Sequence, residues 1–143
     1  MNVPRILIVD DEERFRVTLT KRLVERQLEV SSVGGGQEAL AELRRRLYDV
    51  VVLDVKMPGL DGIETLSEIK KTHPGVEVIL LTGHASVDSA VDGMRMGAYD
   101  YLLKPCELET LIEKINGAYG VKAARDQRLR QAEIRSLIDR KPS

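Results

Sequence analysis

Val50-Val51-Val52-Leu53-Asp54-Val55-Lys56-Met57-Pro58-Gly59 is a continuous apolar run that ends in a carboxylate, with a Pro-Gly break just behind it. Four apolar residues without alternation read as a strand buried on both faces, the habit of a parallel sheet covered by helices. The break places Asp54 at the carboxyl end of that strand. Three other runs repeat the pattern: Ile6 to Val9 leads into Asp10-Asp11, Val78 to Leu81 into Thr82, and Tyr101 to Leu103 into Lys104. Carboxylates, a hydroxyl and an ammonium are therefore expected along one edge of one sheet.

Working outward, the strands fall at 5 to 9, 28 to 33, 50 to 54, 77 to 82 and 100 to 103. The stretches between them have helical period. Phe15, Leu19 and Leu23 mark one face, then Ala39, Leu40, Leu43 and Leu47, then Ile63, Leu66 and Ile69, then Val87, Ala90, Val91 and Met94, then Leu108, Leu111, Ile112 and Ile115. Pro74-Gly75 precedes the fourth strand, and Gly97 stands where the fourth helix should stop. Strands alternating with helices predict an α/β fold, a doubly wound five-stranded parallel sheet in the order 2-1-3-4-5 with five helices. In such sheets function sits beyond the carboxyl ends of the strands. Gly93 inside the fourth helix weakens it by up to ~1 kcal/mol relative to Ala, which would suit an element that shifts between two states.

The 143 residues fit one domain. No apolar stretch approaches the ~20 residues of a membrane helix, and Asp10-Asp11 interrupts the N-terminal run too early for a secretory signal. The expectation is a cytoplasmic protein without membrane contact. Its single cysteine, Cys106, fits a reducing compartment and reads as a small buried apolar residue. Residues 121 to 143 carry seven Lys or Arg against three acids, net +4; because the whole chain is -1, the first 120 residues are net -5. An acidic domain at 1 to 120 thus precedes a basic helical tail or linker at 121 to 143. With only Ile134, Leu137 and Ile138 as an apolar row, the tail is too short for a DNA-binding core, and direct nucleic-acid binding is not expected.

Three carboxylates at neighbouring strand ends raise one another's pKa or call for a cation. Mg2+ suits them, with Mn2+ as an alternative, since it takes oxygen ligands and needs only one or two carboxylates plus phosphate oxygens. An Asp-Asp pair is also a sound helix N-cap, with Glu12 and Glu13 favouring the positive end of the first helix. Lys104 and Thr82 add a fixed positive charge and a hydroxyl donor for phosphoryl oxygens. Together these groups describe phosphoryl transfer, with Asp54 as nucleophile.

The stretches ILIVDDEE, VVVLDVKMPGLDG, VILLTGHAS and GAYDYLLKP, spanning about residues 4 to 119, resemble those of bacterial two-component response regulator receiver domains. The resemblance implies a flavodoxin-like fold and a phosphorelay phosphoprotein in which Asp54 accepts a phosphoryl group from a sensor histidine kinase or phosphotransfer protein. It implies Mg2+ ligation by the Asp11 and Asp54 side chains, by Asp10 directly or through water and by the Lys56 carbonyl, phosphoryl binding by Thr82 and Lys104, a cis peptide at Lys104-Pro105, and a switch through Thr82 and Tyr101. Such a domain is no enzyme in the ordinary sense; it catalyses its own phosphorylation and dephosphorylation. Lys56 and His84, two residues beyond Asp54 and Thr82, are candidates for tuning the dephosphorylation rate, with solvated loop side chains as the alternative reading. Output would pass through the face of the fourth helix, fifth strand and fifth helix to a protein effector. A homodimer through that face or the tail is open.

Two other readings compete. Gly34-Gly35-Gly36-Gln37-Glu38-Ala39 satisfies G-x-G-x-x-A, yet it follows the second strand, and the chain is too short for two mononucleotide-binding halves. A metal-dependent phosphatase would want a second acid two positions after Asp54, where Lys56 stands. His73, before Pro74, reads as loop surface.

Overall fold

The computed structural model describes residues 3–57, 59–83 and 87–140. Five strands, β1 (Arg5–Val9), β2 (Glu29–Val33), β3 (Val50–Leu53), β4 (Glu77–Thr82) and β5 (Asp100–Leu103), alternate with α1 (Glu13–Glu25), α2 (Gly36–Arg45), α3 (Gly62–Thr72), α4 (Val87–Arg95) and α5 (Leu108–Asp139). The strands form one parallel sheet in the order β2-β1-β3-β4-β5, as the alternation of apolar runs predicts.

The three central strands carry continuous apolar runs, Ile6 to Val9, Val50 to Leu53 and Val78 to Leu81, because both of their faces are covered. Leu7, Val9, Val51, Leu53, Val78 and Leu80 point into a core with Ala39, Leu43, Leu66, Ile69 and Ala90 from α2, α3 and α4. Ile6, Ile8, Val50, Val52, Ile79 and Leu81 face the other way, onto Leu19, Leu23, Leu111, Ile115 and Ala118 of α1 and α5. Burial of each Val, Leu or Ile side chain among these contributes about 1.5–3 kcal/mol, so the central strands anchor whatever hangs from their ends.

Three details depart from the sequence reading. Leu47 does not extend the α2 face: the backbone turns extended at Arg46 and Leu47 is 80% exposed. Val91 likewise faces outward on α4, where Ala90 is the buried contact. Gly93 serves close packing, since a Cβ there would lie 2.5 Å from Leu80 Cδ1 and 3.3 Å from Ile63 Cδ1.

α5 runs on without a break far past the sheet. Its extension is first tied back to the domain: Lys122 pairs with Asp49 at 3.3 Å and with Asp126 at 2.7 Å, and Arg125 binds the buried Glu77 at the start of β4. Beyond that clamp Leu129, Ile134, Leu137 and Ile138 are exposed. Among the described residues no helix is long and apolar enough to cross a membrane.

Candidate phosphoacceptor site

The sheet ladder outlasts the strands by one hydrogen bond at three of the reactive positions. Asp10 N donates to Val33 O at 3.2 Å, Asp54 N to Val9 O at 2.9 Å and Lys104 N to Thr82 O at 2.7 Å. Each side chain is thus fixed on rigid backbone before the loops begin. Behind Asp54 the chain closes tightly: Gly62 N donates to Val55 O at 2.9 Å, and Asp61 caps α3 by accepting from Glu64 N at 2.9 Å. A Cβ on Gly62 would sit 2.2 Å from the carbonyl oxygen of Asp54, so only glycine permits this approach.

Asp10, Asp54, Thr82 and Lys104 come together. Lys104 Nζ lies 2.7 Å from Asp10 Oδ2 and 3.7 Å from Asp54 Oδ2, and Thr82 Oγ1 donates to Asp54 Oδ1 at 3.2 Å. The Lys56 side chain is exposed, while its backbone N approaches Asp54 Oδ1 at 3.4 Å. Tyr101 is half-buried on β5, and the Lys104-Pro105 peptide is cis. Asp11 is exposed, and oxygens of Asp10, Glu12 and Asp54 lie within 4.8 Å of one another. His84 lies outside the described residues.

Burial pushes the Asp54 carboxyl above its usual range; Lys104 draws it back, Asp10 pushes it further up, and the Thr82 and Lys56 hydrogen bonds pull down without restoring it. For Lys104, burial works against the charge, but the Asp10 hydrogen bond and the charges of Asp10, Asp54 and Glu12 outweigh it and leave the ammonium favoured. The donors are all carboxylate oxygens with no His or Cys, a set that fits a hard divalent cation such as Mg2+.

The response regulator receiver domain profile matches residues 6–116. The chain belongs to this family. The receiver is 35% identical over 111 residues to the luminescence regulatory protein LuxO of Vibrio campbellii, covering 78% of this chain and 24% of LuxO. It is also 35% identical over 113 residues to the DNA-binding transcriptional regulator NtrC of Salmonella typhimurium, covering 79% and 24%. The chain therefore spans about a quarter of the length of these curated relatives. A receiver domain protein structure from Clostridium thermocellum superposes with a TM-score of 0.82 at 36% identity, covering 85% of this chain and 98% of the other.

Sequence reasoning passed over three residues of the receiver's site. Glu12 was legible only as an acid at a helix start. Arg16 Nη1 donates to the Asp10 carbonyl at 2.9 Å, and Phe15 places its ring 4.2 Å from Lys104 Nζ. Both sit in the first turn of α1, where helical periodicity gives no sign of what lies across the loop.

Proposed function

We propose that this receiver takes a phosphoryl group onto Asp54 from the phosphohistidine of a sensor histidine kinase or phosphotransfer protein, in a Mg2+-dependent step. The observation that most supports this is the convergence on one buried carboxylate, 6% exposed, of a hydroxyl donor, an ammonium and two further carboxylates. An Asp54 carboxylate oxygen attacks phosphorus in line, the new O–P bond forms as the P–N bond breaks, and the imidazole nitrogen leaves with the bonding pair and gains a proton. Lys104 and Thr82 bind the phosphoryl oxygens, to which they bring a charge and a directed hydroxyl. Asp10, Glu12 and Asp54 would hold the cation, with Asp11 and the Lys56 carbonyl as further ligands by family resemblance; when bound, it neutralises the charge that repels the incoming group.

Hydrolysis of the acyl phosphate by water resets the site, so the domain is a phosphoacceptor acting on itself. Lys56 and His84 tune that step in this reading; equal phosphoryl half-lives in wild type, Lys56→Ala and His84→Ala would reject it. Thr82 and Tyr101 couple the phosphoryl group to the α4-β5-α5 face, which a cytoplasmic protein effector reads. The receiver unit corresponds to 1–120, and 121–143 is its basic tail or linker, helical as far as Asp139.

The test is incubation with acetyl phosphate and Mg2+ followed by intact mass. One phosphoryl adduct is expected in wild type, and none in Asp54→Ala or without metal. An adduct that persists in Asp54→Ala refutes the assignment.

A further inference from the structure

We propose that Phe15 is a positioning residue for Lys104, its aromatic face holding the ammonium where the phosphoryl group arrives; this rests on the phosphoacceptor reading above. Among the described residues, Lys104 Nζ lies close to Asp10 at 2.7 Å, Glu12 at 3.5 Å, Asp54 at 3.7 Å and the Phe15 ring, whose centroid is 4.2 Å away. Three of these are carboxylates that a cation or a phosphoryl group must engage in their turn. The ring, unlike them, has no part in that exchange.

Lysine is a point charge on a flexible four-carbon stem, so its position is set by what surrounds the ammonium. A hydrogen bond to Asp10 fixes one of the ammonium's three donor directions and leaves its other two to be aimed at a phosphoryl oxygen. Attraction to an aromatic face has no donor direction. Over Phe15 the ammonium can aim a free N–H at the phosphoryl group without leaving its place.

The ring is itself held. Phe15 packs against the buried core between α1 and α5, and with Leu19, Leu81, Pro105 and Cys106 it lines a cavity of about 410 Å3 beside the β5-α5 connection. A leucine at 15 would keep apolar contact with that core and lose the electrostatic face. Substitution therefore separates packing from positioning.

The experiment compares wild type, Phe15→Leu and Phe15→Trp in the initial rate of Asp54 adduct formation from acetyl phosphate with Mg2+, alongside thermal unfolding. Phe15→Leu is expected to slow the reaction three- to tenfold with little change in unfolding midpoint, and Phe15→Trp to return it to within twofold of wild type, the range of an aromatic-cation contact in a partly desolvated site. A second reading needs no phosphorylation: ring current should move the Lys104 ε-methylene protons upfield in wild type and Phe15→Trp, and not in Phe15→Leu. A wild-type rate in Phe15→Leu, or a tryptophan variant as slow as the leucine one, overturns the proposal. Should wild type form no adduct, the phosphoacceptor reading falls, and an unshifted Lys104 signal would independently overturn the placement of the ammonium over the ring.

Discussion

Asp10 is engaged through both carboxylate oxygens and its backbone carbonyl. One oxygen takes Lys104 Nζ at 2.7 Å, the other takes Glu12 N at 2.9 Å, and its backbone carbonyl takes Arg16. It thus balances the ammonium and shapes the β1-α1 turn at once. Asp10→Asn keeps a similar shape and removes the charge. Mg2+ affinity, measured by calorimetry, should fall at least about tenfold, since a unit charge within a few ångströms of a cation is worth several times the ~1.4 kcal/mol of one decade. An unchanged affinity would place the cation away from Asp10. At this scale the sequence was half legible: the strand ends announce Asp10, Asp54, Thr82 and Lys104, whereas Glu12, Phe15 and Arg16 enter because the loop folds back over β1 and brings α1 beside β5's continuation.

Two elements carry more than their periodicity suggests. α4 approaches the sheet so closely at Gly93 that a methyl group would clash with Leu80. Gly93→Ala gains up to ~1 kcal/mol in helix propensity and loses about 1–3 kcal/mol to overpacking, so a net loss of stability is expected in urea unfolding; a gain would mean α4 can shift outward freely. α5 is longer than its core-facing residues require, and Lys122 clamps the extension to Asp49. Burial lowers the Lys122 pKa, but hydrogen bonds to Asp126 and Asp49 outweigh it and raise the folded value above the ordinary 10.5. A raised folded value means a stabilising contribution that is complete below pH 10.5 and lost as pH climbs through the folded pKa. Lys122→Met should therefore cost about 1 kcal/mol at pH 7, kept modest by partial solvent screening, and the gap from wild type should close above pH 10.5. A gap that stays constant with pH would show that the loss is one of packing.

Across the whole molecule, the site and the α5 clamp lie at opposite ends of the central strands: Asp54 follows β3, and Asp49, which Lys122 holds, precedes it. Phosphorylation at one end can bias α4, β5 and α5 without touching the other. Hydrogen exchange with and without a phosphoryl mimic and Mg2+ should change in α4 and β5, while the clamped turn around Lys122 and Arg125 stays protected. No change in α4 or β5 would contradict the proposed switch. Exchange that spreads to the clamp would instead mean that α5 moves as one rod.

The sequence by itself determined the sheet, its strand order and the edge on which the reactive groups stand, because strand-length apolar runs alternating with stretches of helical period point to a parallel sheet covered on both faces, and short crossovers leave little choice of order. It also fixed the family, through four motifs in their order. What only the tertiary structure decided was which groups touch: Glu12 beside Asp10 and Asp54, Phe15 beneath Lys104, Gly93 against Leu80, and Lys122 and Arg125 on Asp49 and Glu77. Those contacts join residues from different elements, and periodicity reports the face a residue lies on, not the neighbour waiting across the gap.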